Sequence, residues 1–341
     1  MTLPTSMKAL VQLHDGYAGT QTGPNISDLS PFLAYQDVPL PQPADGQALI
    51  KVHLAAVNPS DIHFIKGEYG QPRVKGAPAG FEAVGEVVAG NTPLIGKRVS
   101  FFAGGSGTWA KYALADVTSL VPCRPDLAEV DAACQLVNPL TAIAMFDLVK
   151  ESRAESFVLN AAGSQLGKYL IALAKDNGVA PIAVVRRAEQ AAELRDLGAH
   201  TVIVSTQTDA LDQAKSAFRA LPPAILLDAV GDQFTADLFF VMPKHSTWVN
   251  YGKLATEAPQ LTELGQLIFM NKKIEGFWLT RWIKQVGADR VRAGFVEIQE
   301  RFVSGAWKTD VAEIVPLSEA MDKLPEVLAI PDGKAFIDPR K

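Results

Sequence analysis

Phe157-Val158-Leu159-Asn160-Ala161-Ala162-Gly163-Ser164-Gln165-Leu166-Gly167 reads as a buried strand that breaks at a turn of small residues and runs into a helix. Leu166, Leu170 and Leu173 follow at i, i+4 and i+7, one face of that helix. Such a turn lets backbone N–H groups and the positive helix end face a pyrophosphate. The customary three-glycine spacing is degraded: Ala162 and Ser164 stand where the first two glycines belong, and only Gly167 is kept. On these residues alone a plain strand-to-helix connection remains open.

The next strand weighs on that choice. It ends Ala183-Val184-Val185-Arg186-Arg187, and no acid follows until Glu189. In a dinucleotide-binding sheet an acid at this place takes the ribose 2′-OH of NAD, whereas arginine accommodates the 2′-phosphate of NADP. The planar guanidinium suits phosphate because it offers paired, charge-assisted hydrogen bonds. Arg186 and Arg187 therefore point to NADPH, with a solvated charge pair at the strand end as the alternative.

Apolar strand-length runs begin near Phe157, Ile182, Val202, Ile225, Trp248 and Ile274. Helical stretches alternate with them, among them Ala188 to Leu197 with Gly198 at its stop. Buried strands alternating with helices give a doubly wound parallel sheet, an α/β architecture. The earlier part of the chain has another rhythm. Ile50-Lys51-Val52-His53-Leu54 alternates apolar and polar residues, and Met7 to Leu13, Glu82 to Val88, Lys97 to Phe102 and Thr108 to Leu114 are short strand-like runs. They suit a β-rich, partly barrel-like domain. The expected organisation is a β-rich domain over residues 1–134, a dinucleotide-binding domain over 135–272, and a return segment, 273–341, that completes the first and ends on the strand-like Ala335-Phe336-Ile337.

A chain of 341 residues suggests about two domains. Apolar residues form 48% and charged residues 20%, ordinary globular usage that excludes a disordered chain. No apolar run approaches about 18 residues, so no membrane span is expected. A net charge of -5 without a basic block argues against a nucleic-acid binder. Cys123 and Cys134 cannot build a disulfide framework or a Cys-rich zinc lobe. Met1 to Gly16 lacks an apolar signal core and the first arginine is Arg73, so the expected location is cytoplasmic.

Four strings then converge: Ala56-Val57-Asn58-Pro59-Ser60-Asp61, Ile65-Lys66-Gly67-Glu68-Tyr69-Gly70, Val137-Asn138-Pro139-Leu140-Thr141-Ala142 and Gly276-Phe277-Trp278-Leu279-Thr280-Arg281-Trp282. In this order the chain resembles the zinc-free branch of the medium-chain dehydrogenase/reductase superfamily. Within it the resemblance is to trans-2-enoyl thioester reductases of the mitochondrial type and to NADPH:quinone oxidoreductases, and it runs from Met7 to Ile337. It implies a GroES-like β-rich catalytic domain wrapped around a Rossmann domain, with the active cleft between them. By position it makes Tyr69 the catalytic acid. It sets Asn138 and Thr141 near the nicotinamide, and Gly163, Ser164, Gln165 and Leu166 around the pyrophosphate. Arg186 and Arg187 would face the 2′-phosphate. Tyr251 and Gly252, then Phe277, Trp278 and Leu279, would line the cofactor, and Lys334 would close its nicotinamide end. Relatives commonly pair through an edge of the Rossmann sheet, which implies a homodimer.

Zinc-dependent relatives carry Cys, His and Cys at places that fall here at about Pro59, Phe81 and Val137. None of these side chains has a donor atom, so no metal is expected. His53 and His63 read as packing or surface groups, Cys123 and Cys134 as inert thiols, and Asp61 as a residue that fixes its loop by bonding backbone amides. Trp282 reads equally as a pocket wall or as core.

The expected reaction is hydride transfer from NADPH to a small-molecule acceptor of the type C=C–C=O, with Tyr69 supplying the proton. A phenol, ordinarily of pKa about 10, is still protonated at neutral pH. Enoyl thioesters are the preferred acceptors. A quinone reductase on the same scaffold and a non-catalytic nucleotide-binding protein are the alternatives. Lys66, Arg73 and Lys75, near Tyr69, read as a solvated charged loop rather than as ligands for the phosphates of a thioester carrier.

Overall fold

The computed structural model describes residues 3–19, 21–103 and 106–341. The chain divides into two compact units, Met1–Val137 with Phe295–Lys341, and Asn138–Gly294. The first unit opens with β1 (Ser6–Gln12), β2 (Leu33–Pro39), β3 (Gln47–Ala56), β4 (Glu82–Gly90), β5 (Arg98–Phe102), β6 (Tyr112–Asp116) and β7 (Val121–Pro122). The second holds β8 (Ser156–Leu159), β9 (Ala180–Val185), β10 (Thr201–Val204), β11 (Ile225–Asp228), β12 (Thr247–Asn250) and β13 (Lys273–Gly276). The chain then returns to the first unit with β14 (Val311–Pro316) and β15 (Lys334–Asp338).

In the first unit β3 is the organising strand. One edge pairs with β4 along nearly its whole length, while the other is shared by β6 at Gln47–Lys51 and β15 at Ala55–Ala56. Register shifts against β4 at Leu49/Ile50 and Val52/Leu54 are bulges, which bend a strand and let it serve two partners. The alternation read in β3 holds: Ile50, Val52 and Leu54 are buried, Lys51 and His53 half-buried. Ile50 and Val52 share a core with Leu10, Phe101, Trp109 and Ile337. The run expected over Thr108 to Leu114 is divided. Trp109 bonds to β1 and to Ala79, with its indole N–H 3.3 Å from the Ala56 carbonyl, while Lys111 donates to Lys8 on β1 and accepts from Val52 on β3, so the stretch before Tyr112 is shared between two strands.

The second unit is the doubly wound sheet, all parallel, in the order β10-β9-β8-β11-β12-β13. β8 is wholly buried, and the helix Gln165–Asp176 lays Leu166, Leu170 and Leu173 into the interior. The helix Gln190–Leu197 stops at Gly198, whose φ of +121° is easy only for glycine. β13 pairs with β12, so residues 273–294 group with this unit. A helix, Leu279–Val303, kinks at Gly287 (φ +79°) and carries the chain onward. Among the described residues no helix is long and apolar enough to cross a membrane.

Candidate active site

The parallel sheet reverses its winding between β8 and β11, and loops leaving such a switch point diverge and open a crevice at the carboxyl ends of the strands. Residues 160–164 leave β8 there. Ala161 takes a φ of +47°, a left-handed conformation that costs a non-glycine residue about 1 kcal/mol. Ala162 donates its N–H to the Val184 carbonyl on β9 at 3.2 Å. Gly167 has no space for a Cβ against the Ala162 carbonyl, so the helix packs onto its own turn. Gly163 is fixed differently, by the amide of Gln190 standing where its Cβ would be. Ser164 caps the helix, accepting from the Gly167 N–H at 3.2 Å. Gln165 and Leu166 form the first helical turn, where N–H groups lack intrahelical acceptors and carry the positive dipole end.

Arg186 and Arg187 leave the carboxyl end of β9, the strand beside β8. Arg186 is exposed; Arg187 is half-buried with Glu189 4.0 Å away. Thr206 Oγ1 donates to the Arg186 carbonyl at 3.0 Å and pins that backbone. This set fits a phosphorylated dinucleotide, with a helix N-terminus for the pyrophosphate and two guanidinium groups at the neighbouring strand end for a further phosphate.

Asp228, which ends β11 and is wholly buried, is the residue that sequence reading missed. Its Oδ1 accepts from Asn160 Nδ2 at 2.5 Å, Val230 N at 2.8 Å and Gly231 N at 2.9 Å. Its Oδ2 accepts from Trp248 Nε1 at 2.7 Å and Asn250 Nδ2 at 2.8 Å. Asn160 Oδ1 in turn accepts from Ala229 N at 2.7 Å. One carboxylate thus joins the ends of β8, β11 and β12. Tyr251 and Gly252 donate their N–H groups to the Asp228 carbonyl at 2.8 and 3.3 Å. Gly252 lies so close to Ala229 that a Cβ would sit 2.6 Å from its carbonyl oxygen. Burial, then the Asp228 charge, push the Tyr251 phenol up.

Beyond β13, Phe277 donates its N–H to the Asn250 carbonyl at 2.8 Å, and half-buried Trp278 and Leu279 follow. Asn138 and Thr141 share the first turn of the helix Asn138–Ser152. Trp282 is buried, with the Arg290 guanidinium 5.9 Å from its ring and Asp147 gripping that guanidinium at 2.9 and 3.0 Å. Every expected cofactor residue except Lys334 therefore belongs to the second unit.

Tyr69 and Lys334 belong to the first. Asn58 caps the helix Pro59–Ile65 in a capping box with Asp61. Asp61 Oδ2 accepts from Asn58 N at 2.7 Å and Oδ1 from Phe81 N at 2.8 Å, the loop-fixing role expected of it. Glu82, a second missed acid, accepts from Asn58 Nδ2 at 2.8 Å and from the Leu136 and Val137 amides at 3.0 and 2.9 Å. The Lys334 ammonium donates to Asn58 Oδ1 at 2.5 Å and to the Val57 carbonyl at 3.4 Å. Burial, with the Glu82 charge adding to it, raises the Asp61 carboxyl to about 7, and burial raises Glu82 as well. Phe81, Val137 and the residue before Pro59 are therefore held by backbone bonds to two carboxylates.

The Tyr69 ring packs 5.2 Å from Phe81 and 6.4 Å, edge-on, from Phe64. The loop beneath it corrects the solvated reading of the nearby cations. Lys66 and Arg73 are buried, and only Lys75 stays in solvent. Lys66 Nζ donates to the Gly23 and Asn25 carbonyls at 2.6 and 3.1 Å. Arg73 donates to the carbonyls of Gly16 at 3.0 Å, Asp15 at 3.3 Å and Ile65 at 3.4 Å. His63 Nδ1 lies 3.2 Å from Glu68, and His53 3.6 Å from Glu129. Burial pushes both cysteine thiols up, Cys134 to about 12, away from the nucleophilic thiolate form. Among the described residues no group of three or more His, Cys, Asp or Glu is placed to hold a metal ion.

Family models agree with this architecture. One described as the alcohol dehydrogenase GroES-like domain matches residues 44–125, and one described as zinc-binding dehydrogenase matches 166–292. The mitochondrial enoyl-[acyl-carrier-protein] reductase of Xenopus tropicalis is 32% identical over 74% of this chain and 75% of its own. A Mesorhizobium loti structure, provisionally named an NADPH:quinone reductase, is 46% identical over 99% of this chain and 100% of its own, with a TM-score of 0.95. Etr1p, from the 2-enoyl thioester reductase of Candida tropicalis mitochondria and solved with NADP and crotonyl-CoA, shares the fold. Its TM-score is 0.78 at 21% identity, covering 98% of this chain and 99% of that one. With a GroES-like unit, a Rossmann sheet and relatives of this kind, the chain belongs to the medium-chain dehydrogenase/reductase superfamily of oxidoreductases, alongside the enoyl thioester and quinone reductases.

Proposed function

We propose that this protein is an NADPH-dependent reductase of activated carbon–carbon double bonds, with enoyl thioesters as preferred acceptors and no metal in the reaction. The observation that carries the cofactor assignment is the pairing of β8 with β9, which sets the Gly163–Leu166 turn beside Arg186 and Arg187. Gly163, Ser164, Gln165 and Leu166 would take the pyrophosphate and the two arginines the 2′-phosphate. Asn138, Thr141, Tyr251, Gly252, Phe277, Trp278 and Leu279 would hold the remainder, with Lys334 at the nicotinamide end. NADPH, when bound, supplies a hydride.

Hydride addition at the β-carbon of the acceptor leaves an enolate-like species that needs a proton at its α-carbon or oxygen. Tyr69 donates that proton from its phenol, and the Phe64 and Phe81 rings fix its direction. Tyr69→Phe should lower turnover of crotonyl thioester by about 100-fold or more, the usual weight of a general acid, with little change in NADPH affinity. Unchanged turnover would remove Tyr69 from the reaction.

The 46% identity to the Mesorhizobium loti protein favours a second acceptor class, quinones. Fast NADPH oxidation with a simple quinone and none with crotonyl thioester would select it. The proposal includes a cytoplasmic, reducing location, which suits two free thiols. It also includes a homodimer, since β13 ends its sheet and the adjoining helix Gly265–Phe269 exposes Ile268 and Phe269 at 76% and 86%. An open strand edge beside exposed apolar side chains invites a second copy around a two-fold axis. Sedimentation should show a dimer that Phe269→Glu dissociates; a monomeric parent protein would reject this part.

A further inference from the structure

The chain between β1 and β2 contains a long segment without helix or strand, and its two halves are held in different ways. The second half is anchored by packing, with Leu29 and Leu33 wholly buried and Ile26 against the same core. The described residues of the first half, His14–Gly19 and Gln21–Asn25, are mostly exposed and are held by polar bonds that nearly all come from the loop around Tyr69. A cavity of about 250 Å³ lies between the two, lined by Thr22, Phe32 and the anchoring side chains, so apolar packing does not fix their spacing.

The anchors bracket Tyr69. Before it, Gly67 (φ +78°) accepts from the Ala18 N–H at 2.8 Å, and a Cβ on Gly67 would lie 2.6 Å from Arg73 Cζ and 2.7 Å from Ala18 N. Glu68, directly adjacent, accepts at Oε1 from Thr22 N at 2.7 Å and Thr22 Oγ1 at 2.9 Å, while Oε2 meets His63 Nδ1 at 3.2 Å. Its side chain is 2% exposed. Burial pushes this carboxyl up, but the Thr22 donors, His63 and Lys66 outweigh it and hold it below the usual range. After Tyr69, Gly16 and Arg73 exchange backbone hydrogen bonds at 3.1 Å each way, and Asp15 accepts from Lys75 N at 2.7 Å.

We propose that Glu68, through its bonds to Thr22 and with Lys66 and Arg73 beside it, is a positioning residue that clasps Asp15–Ala18 and Thr22–Asn25 to the Tyr69 loop and so aims the Tyr69 phenol at the acceptor. This rests on the reading of Tyr69 as proton donor. The clasp residues bond to residues 14–25 and to the Tyr69 loop and to none of the residues proposed to hold the cofactor, so the clasp acts on the protonation step.

The test is a double-mutant cycle on turnover of crotonyl thioester, with NADPH affinity followed by fluorescence. Glu68→Ala should lower kcat about tenfold, because small misplacement of a reacting group is costly. NADPH affinity should stay as it was, and Glu68→Gln, which keeps an acceptor for Thr22, should recover part of the loss. In a Tyr69→Phe background Glu68→Ala should change kcat little, since there is no longer a phenol to aim. Thr22→Val, on an exposed loop where folding is not at risk, should give a smaller fall of the same kind. If Tyr69→Phe slows the enzyme and Glu68→Ala slows it by the same factor in both backgrounds, or Thr22→Val leaves kcat unchanged, the clasp is wrong while the proton donor stands. If Tyr69→Phe has no effect, both fall.

Discussion

Each unit has a buried aspartate that ties loops together, and the two work under different electrostatic conditions. Asp228 gathers two side-chain amides, an indole and two backbone N–H groups, so both of its oxygens are occupied by donors. Asp61 takes only two backbone N–H groups and shares its interior with Glu82, a second acid, with the Lys334 ammonium nearby. Fixed donors on both oxygens hold the Asp228 carboxylate between three strand ends. Fewer donors and a like charge make Asp61 a joint that responds to protons.

The largest effect should come from breaking the Asp228 joint. Asp228→Asn keeps the size but turns an N–H2 group toward the Trp248 and Asn250 donors. Stability in denaturant titration should fall by about 4 kcal/mol, since two or more buried donors lose their acceptor. A loss below about 1 kcal/mol would mean that Asn160 and the backbone carry the joint without it.

Next in size is a change on the same sheet that should leave the joint alone. Replacing Arg186 and Arg187 together by alanine should weaken NADPH binding about 100-fold, the cost of removing charge-assisted phosphate contacts, and NADH binding little. The unfolding midpoint should not move. Equal weakening for both coenzymes would remove the 2′-phosphate assignment.

The smallest effect belongs to Asp61. Its carboxyl stands near 7 when folded against about 3.9 unfolded, so the folded state binds the proton more tightly and stability is lost as pH rises through 7. Between pH 8 and pH 5 Asp61 should contribute a gain of about 2 kcal/mol, with Glu82 acting in the same direction and His53, held below its usual value by burial, acting against it. Thermal unfolding of the parent protein and of Asp61→Asn across that range should differ by this contribution, with the variant's profile the shallower. An Asp61→Asn profile identical to that of the parent protein would contradict the raised carboxyl of Asp61.

The parts of the molecule legible in its sequence are those fixed by neighbours along the chain. The β3 alternation, the Leu166–Leu170–Leu173 stripe, the Gly198 stop and the arginines after β9 all depend on residues within a turn or a strand of one another. Asp61 was readable for the same reason, because its partner Asn58 is in the same capping box. Asp228 was not, since Asn160 and Trp248 reach it from distant strands; its one local sign was an acid closing the apolar run Ile225-Leu226-Leu227. Lys66 and Arg73 misled because a cation bonded to carbonyls of a distant loop looks, in sequence, like one bonded to water. The break of the Thr108–Leu114 run turned on the bonds of Trp109 and Lys111 to β1, Ala79 and Val52, again a matter of long-range pairing.

β13 carries a further consequence. A ribbon held along one side only is the first to peel when a sheet loosens, and here it runs straight into Phe277 and Trp278. On the proposed role of Phe277 and Trp278, warming would blunt the hold on the coenzyme while the central ribbons were still intact. Loss of function would then precede melting, and a second copy laid along that side would bring the two events together.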